Sequence, residues 1–345
     1  RAVQHVACER LKKGVTEYGA ESGALIIINP QNGAIIAMCS VPDFDPNEYG
    51  KVSSASAYNN DTIFTAYEPG SIMKPLAMAA AINESLVGPR TTFTDPGVRN
   101  DLCETPITNA DKKSYGLQTM TNVLERSINT GMVFVAEKLG RERLFRYYTA
   151  FGFGVKTGIS LHTESAGNIS RLEKQTKQFL DCYGATASFG QGITATPLQV
   201  ALAYSAIANG GTLLSPMIVE ERILPDGRKE KNAPLAVRSV LSASTAEVVK
   251  SMLVSVVEFA YGGRGQVRGY MVGGKSGTAQ IPGPGGYTNE TIHSFVGFAP
   301  ADNPRFVMLV KYEKPQRRFA ESTAVPTFAD VASFLLPYYE IPPKR

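Results

Sequence analysis

The order of apolar and polar positions predicts strands near the two ends of the chain and helices between them. A helical pattern covers residues 1–20 and stops near Gly19. The apolar runs GALIII and AIIAMCS then flank the turn sequence NPQNG, which predicts a β-hairpin. After residue 268, strand patterns return in YMVGGKSGTAQI, HSFVGFAP and RFVMLVKYE, separated by PGPGGYTN and ADNP, and a last helix is predicted over PTFADVASFLLPYY.

Helical patterns dominate from about residue 58 to residue 255. They end at or near Gly or Pro, as helices do, and comprise PLAMAAAINESL, LQTMTNVLERSINTGMVFVAEKLG, RERLFRYYTAFG, PLQVALAYSAIANG and STAEVVKSMLVSVVEFA. The succession predicts an α+β fold, in which the early hairpin and the three late strands form one five-stranded antiparallel sheet covered by helices. We expect a single domain over residues 1–345, with a sheet subdomain of about 1–57 and 256–345 and an inserted, mostly helical lobe of about 58–255. A cleft between lobe and sheet is the expected place for a site.

Composition narrows the classes of function only slightly. Of the 345 residues, 43% are hydrophobic and 19% charged, and the net charge of +4 is spread along the chain, which does not favour nucleic-acid binding. No apolar run approaches the roughly 20 residues that span a bilayer. The chain has three His and four Cys without zinc-site spacing, so no zinc site is expected. An even cysteine count permits disulfides, but we expect four separate thiols at Cys8, Cys39, Cys103 and Cys182.

A candidate nucleophile lies at the start of the first predicted helix of the lobe. Ser71 follows the sharp turn Glu68-Pro69-Gly70, and Lys74 is three residues further on, so both side chains lie on one helix face. A serine hydroxyl needs an adjacent base to become a good nucleophile, and a lysine can be that base if burial or a second cation lowers its pKa. The helix N-terminus adds backbone N–H groups close to a developing oxyanion. Taken alone, however, the pair is more typical of a capping serine with a surface lysine.

A second polar pair, Ser127 and Asn129, lies in the helical sequence VLERSINTGMVFVAEKL. Positions i and i+2 do not share a helix face, so the two side chains can converge on a cleft only from a turn or a helix end. Gly131 makes a local break in the helix plausible.

Two Lys-hydroxyl-Gly triplets occur, and we expect only one to line the cleft. Lys156-Thr157-Gly158 lies in FGFGVKTGISLHTESAGN, a glycine-rich connection inside the lobe without a strand partner nearby. Lys275-Ser276-Gly277-Thr278 lies on the first of the late strands, where Gly removes side chains at a close approach. The strand context favours the second triplet, Lys275-Ser276-Gly277, as the one that lines the cleft.

These three elements in this order resemble the transpeptidase domain of class B penicillin-binding proteins. The resemblance runs from about Gly23 to Pro342 and includes YEPGSIMKP, LERSINTGMVFVAEKLG, FGFGVKTGIS, FGQGITATPLQVALAYSAIANGG, GKSGTAQ and SFVGFAPADNP. Glu68 before Pro69 is more typical of the cell-division, penicillin-binding protein 3-like branch. Ser276 departs from the more usual Thr, but the hydroxyl is retained.

The resemblance implies a covalent mechanism for four of these residues. Ser71 would attack the penultimate D-Ala carbonyl of a peptidoglycan stem peptide, with Lys74 as general base. Ser127 would relay a proton to the leaving amine, and Asn129 would hold the substrate amide and orient Lys74. β-Lactams would acylate Ser71 and remain attached.

The late strand would bind the substrate. Lys275 would supply positive charge for the substrate carboxylate, which Ser276 and Thr278 would bind, while Gly277 allows the close approach. The backbone N–H groups of Ser71 and Thr278 would form the oxyanion hole. Outside these motifs, we expect Tyr67 and His293 to be structural residues and place Tyr261 and Arg264 provisionally at the rim of the groove.

Other activities remain open on the same motifs. A serine β-lactamase also needs a base for deacylation, and Glu164 with Asn168 resembles the Glu-x-x-x-Asn arrangement of class A enzymes. A D,D-carboxypeptidase differs only in using water as the acceptor. A β-lactam-sensing receptor domain would acylate without cross-linking, but such sensors lack the Ser-x-Asn element.

The resemblance also implies a cellular setting. It places the enzyme on the extracytoplasmic, periplasmic face of the cytoplasmic membrane, held by a single N-terminal anchor and a stalk domain that this chain does not contain. The implied partners are peptidoglycan stem peptides, β-lactam antibiotics, a membrane glycosyltransferase and divisome proteins.

Overall fold

The computed structural model describes residues 1–52, 54–174, 176 and 178–344. The helices are α1 Ala2–Tyr18, α2 Lys74–Asn83, α3 Met120–Glu125, α4 Asn129–Leu139, α5 Arg141–Ala150, α6 Ser170–Glu173, α7 Cys182–Ala187, α8 Pro197–Ala208, α9 Ala243–Phe259 and α10 Ala324–Tyr338. The strands are β1 Ser22–Ile28, β2 Ile35–Val41, β3 Thr92–Asp95, β4 Val98–Arg99, β5 Ile107–Thr108, β6 Gly116–Thr119, β7 Thr212–Leu214, β8 Glu221–Ile223, β9 Lys229–Lys231, β10 Ala236–Ser239, β11 Gly273–Gly283, β12 Gly286–Ala299 and β13 Phe306–Glu313. Short 3₁₀ turns occur at Pro46–Lys51, Ala55–Tyr58, Gly70–Met73 and Ala320–Ser322.

The central sheet has the strand order β11-β12-β13-β1-β2, and every neighbouring pair is antiparallel. The predicted α+β fold and the five-stranded sheet are therefore confirmed. The early hairpin joins the late strands through β1 and β13, where Ser22 pairs with Glu313 and Ile28 with Val307. This arrangement leaves β11 at the edge of the sheet, next to the lobe.

Both faces of the sheet are covered by helices. Helices α1 and α10 pack on one face, and α8 packs against β1 and β13 on the other. Strand β13 is buried at nearly every position, as expected for a strand with helices on both sides. Helix α8 is buried on all sides because it lies between the sheet and the rest of the lobe.

The middle of the chain contains short strands that the helical patterns did not predict. Two-stranded pairs form between β3 and β6, β4 and β5, β7 and β10, and β8 and β9. They span only two to four residues each, which is too short for an alternating pattern to be recognised in a sequence.

The expectation of four separate thiols is wrong. Cys8 bonds to Cys39, and Cys103 bonds to Cys182, so the cysteines form two disulfides. The partners are 31 and 79 residues apart. Packing of α1 against β2 brings the first pair together, and the second links the loop between β4 and β5 to the start of α7. Spacing along the sequence carries no signal for such pairs.

Within the described ranges, none of the helices has both the length and the apolar character required to cross a membrane.

Candidate active site

The candidate nucleophile lies in a turn that two hydrogen bonds fix to other segments of the lobe. Ser71 is the second residue of the 3₁₀ turn Gly70–Met73, which leads directly into α2. The turn requires Gly at position 70, where φ is +60°. The Gly70 N–H donates to Gly190 O at 3.1 Å, and the Tyr204 hydroxyl donates to Ile72 O at 2.7 Å. Ser71 itself is only half-buried, so it is partly accessible to solvent.

The second motif is formed by a break between two helices. Helix α3 ends at Glu125 and α4 begins at Asn129, and Ser127 lies between them with φ of +56°. A positive φ is uncommon for a residue with a side chain, and such strain is typical of functional sites. The predicted break is confirmed, but it lies at Ser127 rather than at Gly131. It allows Ser127 and Asn129 to face the same amine.

Lys74 is the residue on which the first two motifs meet. Its Nζ donates to Ser127 O at 2.6 Å and to Asn129 Oδ1 at 2.7 Å, and it lies 3.2 Å from Ser127 Oγ. A neutral amine has two N–H donors and one lone pair. The two carbonyl oxygens satisfy both donors, which leaves the lone pair for a hydroxyl proton.

The electrostatics of Lys74 favour its neutral form. The side chain is fully buried, and its hydrogen-bond partners in the described residues are uncharged. Burial first, and the positive charge of Lys275 second, lower the pKa of Lys74 well below its ordinary value. This is the condition under which a lysine can accept a proton from serine near neutral pH.

Strand β11 brings the third motif alongside the nucleophile turn. A Cβ placed on Gly277 would lie 2.8 Å from Pro69 O and 3.1 Å from Ile72 Cγ2, and one placed on Gly70 would lie 3.1 Å from Ala279 Cβ. The backbones therefore touch at this point. Strand β11 therefore contacts the Ser71 turn, as the sequence predicts.

Lys275 is a second buried amine. Its Nζ donates to Ser276 O at 3.0 Å. Burial lowers the pKa of Lys275 to about 7, and the nearby Glu321 carboxylate opposes this shift. Sequence reasoning did not identify Glu321 because it lies in a short 3₁₀ turn 46 residues further on, at Ala320–Ser322.

Ser276 and Thr278 alternate with the buried positions of β11 and are both half-buried. Thr278 Oγ1 accepts a hydrogen bond from Ala320 N at 3.0 Å. The Ser276 N–H donates to the Tyr261 hydroxyl at 2.9 Å, so Tyr261 is a buried support of β11 rather than part of a rim. Burial raises the pKa of Tyr261 to about 12. Arg264, by contrast, is exposed.

Asn129 has partners that sequence reasoning missed. Its side-chain Nδ2 donates to Thr108 O at 2.8 Å, and its backbone N–H donates to Asn109 Oδ1 at 2.9 Å. Both partners lie about 20 residues upstream, in and just after the two-residue strand β5. No spacing in the sequence identifies Thr108 and Asn109 as partners of Asn129.

The alternative triplet is a structural loop. Lys156 is exposed, and the half-buried Thr157 donates from both its N–H and its hydroxyl to Glu164 Oε1, at 2.7 and 2.5 Å. Gly158 N donates to Glu164 Oε2 at 3.3 Å. Asn168 Oδ1 accepts from both the N–H and the hydroxyl of Ser170. Glu164 and Asn168 thus stabilise local loops with their side chains.

His293 is fully buried between two threonine hydroxyls, with Thr291 Oγ1 at 3.1 Å and Thr323 Oγ1 at 2.9 Å. Burial lowers the pKa of His293 to about 4, so the ring is neutral at physiological pH. Tyr67 is buried beneath the turn, where its backbone pairs with Ala195. Both residues pack within the fold.

A sheet edge facing a half-buried serine, with a buried lysine three residues further on, is the arrangement expected of a serine acyltransferase-type site of the penicillin-binding class. The family model of the penicillin-binding protein transpeptidase domain matches residues 23–333. The chain therefore belongs to the penicillin-binding protein transpeptidase family.

Relatives and solved structures of this family match nearly the whole chain. Stage V sporulation protein D of Bacillus subtilis is 37% identical over 99% of this chain, and penicillin-binding protein PbpB of Mycolicibacterium smegmatis is 30% identical over 99%. The chain spans about half of each of these relatives, 53% and 54%. Penicillin-binding protein 3 of Mycobacterium tuberculosis, solved with aztreonam, is 29% identical with a TM-score of 0.90, covering 99% of this chain and 78% of that one. The apo transpeptidase domain of penicillin-binding protein 3 from Burkholderia pseudomallei is 29% identical with a TM-score of 0.84, covering 100% and 96%.

Proposed function

We propose that this chain is a peptidoglycan D,D-transpeptidase that works through an acyl-enzyme on Ser71. The observation that carries the proposal is the buried Lys74 amine, which joins the first two motifs through bonds of 2.6 and 2.7 Å to Ser127 O and Asn129 Oδ1. Relatives named probable peptidoglycan D,D-transpeptidase support it, among them PenA of Neisseria flavescens, which is 30% identical over 99% of this chain.

The proposed acylation begins with proton transfer. Ser71 Oγ attacks the penultimate D-Ala carbonyl carbon while its proton passes to the neutral Lys74 amine. The backbone N–H groups of Ser71 and Thr278 stabilise the oxyanion. When the C–N bond to the terminal D-Ala breaks, the proton returns from Lys74 through the Ser127 hydroxyl to the leaving amine, and an ester on Ser71 remains.

Deacylation repeats these steps with a new amine. The acceptor amine of a neighbouring stem peptide attacks the ester carbonyl, its proton passes to Lys74, and Ser71 Oγ recovers a proton as the new amide forms. Asn129, fixed by its bonds to Lys74 and Thr108, orients the base and binds the substrate amide.

Substrate recognition is assigned to β11. The Lys275 cation attracts the terminal carboxylate, and the half-buried hydroxyls of Ser276 and Thr278 bind it. Gly277 keeps this strand in contact with the nucleophile turn. A β-lactam carries an equivalent carboxylate and acylates Ser71 in the same way.

A hydrolytic β-lactamase is less well supported. Both oxygens of Glu164 hold the Thr157–Gly158 loop, so they are not free to activate a deacylating water. We therefore expect Glu164→Gln to leave the lifetime of the penicillin adduct unchanged. A hydrolase working through Glu164 would instead show a longer-lived adduct in this variant.

The proposed location is the extracytoplasmic face of the cytoplasmic membrane, with an anchor and stalk domain outside this chain. The two disulfides support it, since such bonds persist in oxidising compartments and are rare in the cytosol. A membrane glycosyltransferase and divisome proteins are the proposed partners, and septal cell-wall synthesis is the proposed role. A sporulation-specific role is the alternative, favoured by the 37% identity to Stage V sporulation protein D.

The direct test supplies a stem peptide ending in D-Ala-D-Ala together with an amine acceptor and quantifies both products. A transpeptidase releases D-Ala and forms the new amide in a yield that rises with acceptor concentration. Release of D-Ala with hydrolysed peptide alone, at every acceptor concentration, would assign a carboxypeptidase instead. Absence of D-Ala release would exclude both the transpeptidase and the carboxypeptidase.

A further inference from the structure

A buried carboxylate lies behind the Ser127–Asn129 motif without being part of it. Asp95, at the end of β3, is 1% exposed. Its two oxygens accept hydrogen bonds from Thr130 Oγ1 at 2.5 Å, Asn109 Nδ2 at 3.0 Å, Tyr115 N at 2.8 Å and Gly97 N at 2.9 Å. A buried charge is retained only when it is well satisfied, so the surrounding segments are held tightly to this carboxylate.

Asn109 connects this carboxylate to the start of α4. While its Nδ2 donates to Asp95, its Oδ1 accepts from Asn129 N at 2.9 Å and from Thr130 N at 3.3 Å. These N–H groups belong to the first turn, where a helix offers them no internal partner. The residue at the N-cap is Ile128, whose side chain cannot accept a hydrogen bond, so Asn109 provides the cap from 20 residues upstream.

The same segment fixes the orientation of the Asn129 amide. Its Nδ2 donates to Thr108 O at 2.8 Å, which directs Oδ1 toward Lys74 Nζ at 2.7 Å. A rotated amide would present an NH₂ donor to the Lys74 amine and lose this bond. Residues 108 and 109 therefore determine both where Asn129 lies and which atom of its amide faces Lys74.

We propose that Asp95 and Asn109 are positioning residues for acylation, because together they hold the Asn129 amide against the buried amine of Lys74. The inference rests on the proposed role of Lys74 as the base. Neither residue contacts the substrate in this account. The Asp95 carboxylate lies near the N-terminus of α4, where a negative charge is also favoured by the helix dipole.

The test measures acylation by a fluorescent penicillin in single-turnover experiments, which separate the affinity Ks from the acylation rate constant k2. Asn109→Ala removes both the cap and the bond to Asp95. We expect k2 to fall at least about tenfold, as for a displaced catalytic group, while Ks stays within about threefold and every folded molecule is still labelled. Damage to the fold alone would lower the labelled fraction instead of the rate.

The matched control is Asn209→Ala. Asn209 also ties loops together, donating from Nδ2 to Pro30 O at 2.9 Å and to Thr212 O at 2.8 Å, but it is not linked to the site. Its loss should lower stability and leave k2 unchanged. The proposal is overturned if Asn109→Ala acylates at the wild-type rate, or slows no more than Asn209→Ala does.

Two conservative variants of Thr130 provide a second test in case Asn109→Ala does not fold. Thr130→Ser keeps the hydroxyl that donates to Asp95 and should acylate normally, whereas Thr130→Val removes it and should lower k2. Equal k2 values for the two variants would also overturn the proposal. Labelling of the wild type, and its loss in Ser71→Ala, tests the proposed function separately.

Discussion

At the scale of single residues, the site depends on two lysines whose surroundings lower their pKa values. Burial lowers both pKa values; the positive charge of Lys275 lowers that of Lys74 further, whereas the Glu321 carboxylate opposes the shift of Lys275. The proposed mechanism uses Lys74 as a neutral base and Lys275 as a cation. The two demands are met only in a limited pH range, because protonation inactivates Lys74 and deprotonation inactivates Lys275.

The pH dependence of acylation tests this division of roles. Since the pKa of Lys275 is about 7, the acylation efficiency k2/Ks of the wild type should decline as the pH rises through about 7. In Lys275→Arg the cation persists at all these pH values, so the declining limb should disappear, although the absolute rate falls about tenfold because a larger group enters a buried position. An unchanged declining limb in the variant would contradict the assigned role of Lys275.

Much of the residue-level site could be predicted, since Ser71 and Lys74 are neighbours on one helical turn and the Lys275 triplet lies on a recognisable strand. The residues that hold the site residues in place could not be predicted. Thr108 and Asn109 accept hydrogen bonds from Asn129 across 21 and 20 residues, and Asp95 accepts one from Asn109 across 14. Such contacts leave no pattern in a single sequence.

At the scale of elements, the contact between β11 and the turn Gly70–Met73 assembles the site. A Cβ at Gly277 would lie 2.8 Å from both Pro69 O and Ser294 Oγ. The first of these atoms belongs to the backbone and cannot move away without displacing the nucleophile. That the Lys275 triplet lies on a strand was predictable from alternation and glycines, whereas this spacing depends on the packed fold.

Gly277→Ala should therefore separate the strand from the nucleophile. We expect k2/Ks for penicillin to fall about 100-fold, the cost typical of a displacement of about 1 Å, while the protein remains folded by circular dichroism. Gly88→Ala is the matched control, because a Cβ there meets no atom within 4 Å, and it should keep the rate within about twofold. Equal rates for the two variants would mean that the close approach has no catalytic importance.

At the scale of the whole molecule, two covalent links reinforce the two parts of the fold. Cys8–Cys39 ties α1 to β2 in the sheet, and Cys103–Cys182 ties the loop between β4 and β5 to α7 in the lobe. The five-stranded antiparallel sheet was predictable because each strand has a clear pattern and short turns. The pairing of the cysteines was not predictable, because it depends on how α1 packs on the sheet and on how the lobe folds on itself.

Removing each disulfide by a pair of Cys→Ala substitutions should destabilise the protein by about 2–4 kcal/mol in denaturant unfolding. The link Cys103–Cys182 closes a loop of 79 residues against 31 for Cys8–Cys39, so its loss should cost about 1 kcal/mol more by loop entropy. A reversed order would show that native packing, rather than loop closure, decides the contribution of each link.

The central claim is that three segments distant in sequence meet around one reactive hydroxyl, that of Ser71. Intact mass spectrometry after incubation with benzylpenicillin tests it most directly. The account predicts one penicilloyl adduct per wild-type molecule, which persists for long after the free antibiotic is removed, and no adduct on Ser71→Ala. An equal yield of adduct on Ser71→Ala would contradict it.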